Sequence, residues 1–230
     1  MTYPGGKGSS YQHLINLMPP HRWYVESHLG SGVVMRRKRP AQRNIGIESD
    51  ERVIGRFGEV LAPSCEVICG DALAVLSELP LQASDLVYMD PPYLPSTRFV
   101  RKVYRHEYAE ADHERLLAFA QSVDCMVMIS GYRSDLYDEA LQGWGRREFS
   151  ASSQSGARTE CVWFNFEPPT TLHDARYLGK DFRERQDTRR RMSRITNRLS
   201  KLSPPERAEV LKWLESTLGQ KVPDHDTAAI

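Results

Sequence analysis

Asp90-Pro91-Pro92-Tyr93 follows the apolar run Asp85-Leu86-Val87-Tyr88-Met89, so a carboxylate, a rigid turn and an aromatic ring meet at the end of a predicted strand. That set suits methylation of a planar exocyclic amine. The lone pair of such a nitrogen is delocalised into its ring, which makes it a poor nucleophile. A carboxylate and a backbone carbonyl that accept from its two N–H groups favour a pyramidal, attacking nitrogen. Asp90 offers the carboxylate and Pro91 the carbonyl. Proline fixes φ and restricts the residue before it, so Pro91 and Pro92 hold the acceptors in place in advance. Tyr93 gives a flat base a stacking surface. Prolines also end strands, so a plain rigid turn is the alternative reading of these four residues alone.

Other chemistry-bearing residues also sit just after predicted strands. Gly30-Ser31-Gly32 follows Trp23–Glu26, Glu48 ends Asn44–Ile47, and Asp71 follows Glu66–Cys69. In an open α/β sheet, ligands bind at the carboxyl ends of the strands. The glycine pair would let the backbone approach a cofactor, or would simply turn a strand into a helix. Glu48 is placed to bridge two ribose hydroxyls, an arrangement dinucleotides also use. Asp71 could accept from an adenine amino group, could cap the next helix, or could do both. A dinucleotide loop is disfavoured because Met35 stands where the third glycine of G-x-G-x-x-G belongs. A phosphate loop is disfavoured because Gly5-Gly6-Lys7-Gly8-Ser9 lacks an upstream strand and the required spacing.

These positions need a parallel sheet to converge. Apolar strands are read at Trp23–Glu26, Asn44–Ile47, Glu66–Cys69, Asp85–Met89, Met126–Ser130 and Cys161–Phe166, with a weaker one at Arg146–Phe149. Helices are read between them at Ser9–Leu17, Gly32–Lys38, Glu51–Leu61, Ala72–Leu79, Ala111–Val123 and Arg133–Leu141. The alternation predicts an α/β fold with helices on both faces of the sheet. Ser150–Arg158, rich in Ser and Gly, reads as a mobile loop or open turn.

In chain order, Tyr3-Pro4-Gly5-Gly6-Lys7, Tyr24 to Gly32, Ile45 to Asp50, Gly70-Asp71-Ala72 and Asp90-Pro91-Pro92-Tyr93 resemble the adenine-specific DNA methyltransferases of the class that contains DNA adenine methylase. The resemblance covers most of residues 1 to 166. It implies a Rossmann-like methyltransferase sheet using S-adenosylmethionine, with Asp90, Pro91, Pro92 and Tyr93 as catalytic residues and no metal. It places the cofactor on Tyr3, Gly6, Lys7, Glu26, His28, Gly30, Ser31, Gly32, Glu48, Ser49, Asp71 and Asp90. It further implies transfer to the N6 amine of adenine in DNA, double-stranded, with the base flipped out. Adenine in RNA and the N4 amine of cytosine present the same donor pattern to Asp-Pro-Pro-Tyr. A non-catalytic nucleic-acid-binding module on the same scaffold is a further alternative. Two departures stand out. Family members commonly carry Glu-Pro-Phe where this chain has Glu26-Ser27-His28. Larger members also insert a target-recognition region before Asp-Pro-Pro-Tyr, and the short span from Asp71 to Asp90 leaves no room for one.

Contacts with nucleic acid must then come from elsewhere. In Leu94–Ala109, Arg98, Arg101, Lys102 and Arg105 alternate with Phe99, Val103, Tyr104 and Tyr108, mixing phosphate-binding charge with stacking rings. A lid packed on the body is the competing reading. After Pro168-Pro169, residues 189 to 202 carry Met192, Ile195, Leu199 and Leu202 at helical spacing, while Arg190, Arg191, Arg194 and Arg198 occupy other faces. Ser203 and Glu206 then form a capping box for a second helix with Val210, Trp213, Leu214 and Leu218 on its apolar side. The chain is thus read as a catalytic domain over 1–167 and a basic helical extension over 168–230. The extension is a candidate phosphate-binding or homodimer element.

Composition sets the outer bounds. The 230 residues carry a formal net charge of +1 and are 40% hydrophobic, enough for one sizeable core. No apolar run approaches the ~20 residues that span a membrane. The start, Met1-Thr2-Tyr3-Pro4, lacks the pattern of a secretory signal. Cys65, Cys69, Cys125 and Cys161 lack the spacing of a complete zinc site and read as buried, reduced thiols of a cytoplasmic protein.

Overall fold

The computed structural model describes residues 6–8, 10–98, 105–153 and 156–218. The chain divides into two compact units, Met1–Tyr177 and Leu178–Ile230.

The first unit is built on a seven-stranded sheet of order β3-β2-β1-β4-β5-β7-β6. Its strands are β1 (Trp23–Glu26), β2 (Arg43–Glu48), β3 (Glu66–Cys69), β4 (Leu86–Met89), β5 (Met126–Gly131), β6 (Gly145–Ser153) and β7 (Gly156–Phe164). The first five run parallel, while β7 is antiparallel to β5 and to β6. The sheet reverses direction of growth between β1 and β4, the place where such sheets bind ligands.

The central strand shows why the sheet is covered on both sides. All of β4 is buried. Leu86 and Tyr88 join one core cluster with Leu14, Ile15, Val34 and Met35 from α1 (Tyr11–Ile15) and α2 (Val33–Arg37). Val87 and Met89 face the other cluster, with Leu76 of α4 (Ala72–Glu78), Leu116 and Leu117 of α5 (Glu110–Ser122) and Tyr137 of α6 (Asp135–Ala140). Alternate residues of a strand point to opposite faces, so one apolar run fills two cores. The helix α3 (Glu51–Leu61) is capped by Asp50, which accepts from the Arg52 amide.

Ser150–Ser153 and Gly156–Arg158 depart from the loop reading, because β6 and β7 pair from Gly145↔Phe164 to Ser153↔Gly156, while Gln154 and Ser155 lie outside the described residues. Ser, Ala and Gly have weak strand propensity, but continuous cross-strand pairing overrides it. The thiols also differ from expectation: Cys125 and Cys161 are buried, Cys65 is half-buried and Cys69 is exposed.

The segment after Pro168-Pro169 remains with the first unit through Tyr177. The Arg39 amide donates to Asp174, and Tyr177 OH donates to the Arg37 carbonyl. The second unit holds α7 (Phe182–Leu199) and α8 (Pro204–Leu218). α7 starts earlier than the Met192-to-Leu202 periodicity indicated, because Asp181 caps it by accepting from the Glu184 amide. The Glu206 half of the expected capping box of α8 is present: the Ser203 amide donates to Glu206 Oε2 at 2.7 Å, and the Ser203 hydroxyl donates to the same oxygen at 2.7 Å. No helix among the described residues is long and apolar enough to cross a membrane.

Candidate active site

The carboxyl ends of the parallel strands open on a cavity of about 480 Å³, within the ~300–1,000 Å³ usual for small-molecule sites. Gly6, Lys7, Glu26, His28, Gly30, Ser31, Gly32, Glu48, Ser49, Asp71 and Asp90 all line it. Tyr3 lies outside the described residues. Among the described residues, no group of His, Cys, Asp or Glu side chains is arranged to hold a metal ion.

The turn after β1 is shaped by two glycines with positive φ, Gly30 at 52° and Gly32 at 60°. A Cβ on Gly32 would stand 2.2 Å from Leu61 Cδ2, so both backbone and packing demand glycine there. This turn is tied to the end of β2 by Glu48. The Gly30 amide donates to Glu48 Oε2 at 2.8 Å and the Asp50 amide to Oε1 at 3.0 Å. Each carboxylate oxygen has two acceptor sites, so Glu48 can still take a pair of neighbouring hydroxyls. Asp71 caps α4 by accepting from the Ala74 amide at 2.9 Å. It also lines the cavity, so capping α4 does not take it away from the cavity wall.

Glu26 lies deeper. Its Oε2 accepts from the Met35 amide at 3.0 Å and from Tyr24 OH at 3.4 Å. Burial, reinforced by the Asp90 charge, pushes Glu26 up to about 8. Lys38, from the basic run Arg36-Arg37-Lys38-Arg39, turns inward and donates to the Arg39 carbonyl at 2.8 Å. Burial brings its ammonium down to about 7, while Glu26 and Asp174 partly oppose the fall.

Asp90 stands at the end of β4 beside Lys7. Lys7 Nζ is 2.8 Å from Asp90 Oδ1 and donates to Tyr93 OH at 2.8 Å. Burial pushes Asp90 up to about 6, with Lys7 pulling the other way and Glu160 adding to the rise. Burial opposes the Lys7 ammonium too, but Asp90 and Glu160 override it and leave Lys7 above the ordinary lysine value. Pro91 is buried and Pro92 lines the cavity. The Tyr93 ring meets Tyr132, just past β5, edge-on with centroids 4.6 Å apart. Glu160, on β7, is 3.9 Å from Lys7 Nζ. Neither Tyr132 nor Glu160 carries a signal in the local sequence, because only the sheet order brings β5 and β7 beside Asp90.

The segment after Asp-Pro-Pro-Tyr borders the same cavity through Arg105, His106 and Tyr108. Tyr108 OH is 2.9 Å from His28 Nε2, and Arg105 is 3.4 Å from Asp50 Oδ1. Burial brings His28 down to about 3, so its ring is neutral across the physiological range. Arg98 departs from the phosphate-binding expectation. Its side chain is 7% exposed and paired with Glu107 at 2.5 Å, so its charge is spent inside the protein. Arg101, Lys102 and Tyr104 lie outside the described residues. In the second unit, Arg190, Arg191, Arg194 and Arg198 are all exposed along α7, and Met192 and Ile195 are exposed as well.

No curated protein sequence matches the chain. Solved structures with similar folds include an rRNA methylase from Streptococcus thermophilus at 12% identity, covering 68% of this chain and 93% of that one with a TM-score of 0.47. TrmK of M. capricolum, bound to S-adenosylhomocysteine, is 9% identical and covers 90% of this chain and 92% of its own, with a TM-score of 0.49. Residues 48–153 match the model of the D12 class N6 adenine-specific DNA methyltransferases. That match spans Glu48, Asp71 and Asp90-Pro91-Pro92-Tyr93 and bears out the resemblance these residues carry: the chain is an S-adenosylmethionine-dependent methyltransferase.

Proposed function

We propose that this protein methylates the N6 amine of adenine in double-stranded DNA, acting on a base flipped out of the duplex. The observation that carries this reading is the placement of Asp90. Its carboxylate borders the cofactor cavity, is fixed by Lys7, and stands beside the Tyr93 ring. A stacked base cannot bring its amine to such a recessed site, so extrusion is required.

The roles divide by position. Glu48 takes the ribose hydroxyls of the methyl donor, Asp71 its adenine amine, and the Gly30-Ser31-Gly32 turn lets its body approach the backbone. S-adenosylmethionine supplies a methyl group on a positive sulfonium, a strong electrophile. Asp90 and the Pro91 carbonyl accept from the two N–H groups of the target amine and aim its lone pair into the cavity. Tyr93 stacks on the base, and its hydroxyl is held by Lys7. Positioning of this kind supplies most of the acceleration without a covalent intermediate. Arg105 beside the cavity and the exposed arginines of α7 are the phosphate contacts of this reading. The half-exposed Met192 and Ile195 would also suit pairing of two α7 helices in a homodimer.

The deciding experiment expresses the protein in a host free of DNA methylation and maps modified bases by single-molecule sequencing. N6-methyladenine in the wild type, absent with Asp90→Ala, supports the proposal. N4-methylcytosine, or modification confined to RNA, replaces the substrate.

A further inference from the structure

Glu160 is placed by topology beside the reacting group. Its neighbour Cys161 is the last β7 residue in register with β5, opposite Gly131. Glu160 itself pairs only with Phe149 of β6, at the root of the part of the hairpin that runs past the end of β5. The residue is 9% exposed. Its Oε1 is 3.9 Å from Lys7 Nζ, and its Oε2 is buried without a hydrogen-bond partner among the described residues. A carboxylate held in that setting is costly unless a nearby charge offsets it. Lys7 supplies that charge.

Lys7 already serves Asp90 and Tyr93, both at 2.8 Å. An ammonium pressed against Asp90 would by itself withdraw the negative charge that Asp90 offers to a substrate N–H. A second carboxylate behind the ammonium offsets that effect. We propose that Glu160 is a positioning residue for the methyl transfer: it anchors Lys7 from behind and keeps Asp90 a strong acceptor for the amine. Glu160 is absent from the residues that line the cavity, so it acts on the reaction through its hold on Lys7 and its charge beside Asp90. The inference rests on the reading of Asp90 as the amine acceptor.

The other groups facing Asp90 are Glu26 and Tyr24 of β1, Tyr88 of β4, Tyr93 of its own turn and Tyr137 of α6. None of these changes when Glu160 is replaced. The carboxylate of Glu160 adds to the upward push on Asp90, so removing it must lower the pH at which Asp90 gains its proton.

The test measures methyl transfer to unmethylated genomic DNA against pH, for wild type, Glu160→Asp and Glu160→Gln. The acid limb of kcat is expected to move to lower pH in that order, by about half a unit or more for Glu160→Gln. Its plateau kcat should fall by up to about threefold, the most that a base weaker by half a unit gives on a Brønsted relation, and the KM for S-adenosylmethionine should hold. Glu160→Asp keeps the charge and should recover most of the rate. It also carries the test if the Gln variant is unstable, since its limb must shift the same way by a smaller step. An acid limb fixed in place, or one moving upward, overturns the inference. Asp90→Ala separates the two levels. If it retains activity, the acceptor reading itself fails. If it is inactive while the Glu160 limbs coincide, only the role of Glu160 fails.

Discussion

The Gly30 amide donates to Glu48 Oε2 at 2.8 Å, joining the turn after β1 to the end of β2. With the Asp50 amide on Oε1, the carboxylate is fixed before any ligand arrives. Preorganisation of this kind lowers the ordering cost of binding. Glu48→Ala should therefore weaken S-adenosylmethionine binding by about 1.5–3 kcal/mol for each charge-assisted bond lost. Calorimetry checks this, and an unchanged affinity would remove Glu48 from the ribose site.

Asp90→Ala should keep cofactor binding and lose methyl transfer, because in the proposed mechanism Asp90 acts on the amine. Loss of a preorganised partner typically costs on the order of 10²–10³ in rate. The ionised form is the acceptor, and burial pushes Asp90 up to about 6. Wild-type activity should accordingly decline as pH falls through about 6. His28 is held down to about 3 and contributes no limb in that range. A pH profile flat to pH 5 would contradict the assignment.

The parts of the site that were legible in the sequence are those that combine a strand end with a local constraint. Glu48, Asp71 and Asp90 each close an apolar run, and the prolines or glycines beside them mark a turn. Glu160 offered no such signal. Its approach to Lys7 depends on β7 running antiparallel beside β5, a long-range pairing that no window around residue 160 encodes. The strand segments Ser150–Ser153 and Gly156–Arg158 were hidden for a related reason, since their small and hydroxylated residues favour turns when read alone. α7 was seen only from its apolar spacing, while its true start rests on the Asp181 cap. Arg98 shows the converse limit. Its charge is visible in the sequence, but its partner Glu107 is fixed by the local fold.

Glu26 gives a stability prediction. Its folded value of about 8 lies above the ordinary glutamate range, with burial as the main cause. The folded state therefore holds a proton that the unfolded chain releases. Stability from this group is full below about pH 4 and is lost as pH rises to about 8. Glu26→Gln stays neutral throughout and can still accept from the Met35 amide. The melting temperature of ligand-free wild type should thus fall relative to Glu26→Gln as pH rises from 5 to 8. A pH-independent difference would mean that Glu26 is ionised in the fold at low pH.

The last prediction concerns the exposed arginines of α7. If Arg190, Arg191, Arg194 and Arg198 contact phosphate, replacing them with glutamine should weaken DNA binding by a similar factor on every sequence. Each lost contact should also flatten the log–log salt dependence by about 0.9 units. Cofactor affinity should not change, because all four residues belong to the second unit, whereas the cavity is built by residues of the first. The motivating observation is that all four side chains are exposed along α7. Arg190 is 74% exposed and its Asp187 neighbour is 3.9 Å away, a surface pairing worth at most about 1 kcal/mol that leaves the charge available. A dimer role for α7 gives a different outcome. The salt slope would then be unchanged, and Met192→Glu with Ile195→Glu would lower the mass in sedimentation. Titrations at several salt concentrations separate the two. An identical slope for wild type and the fourfold variant would take α7 off the DNA surface and leave Arg105 and its neighbours as the phosphate contacts.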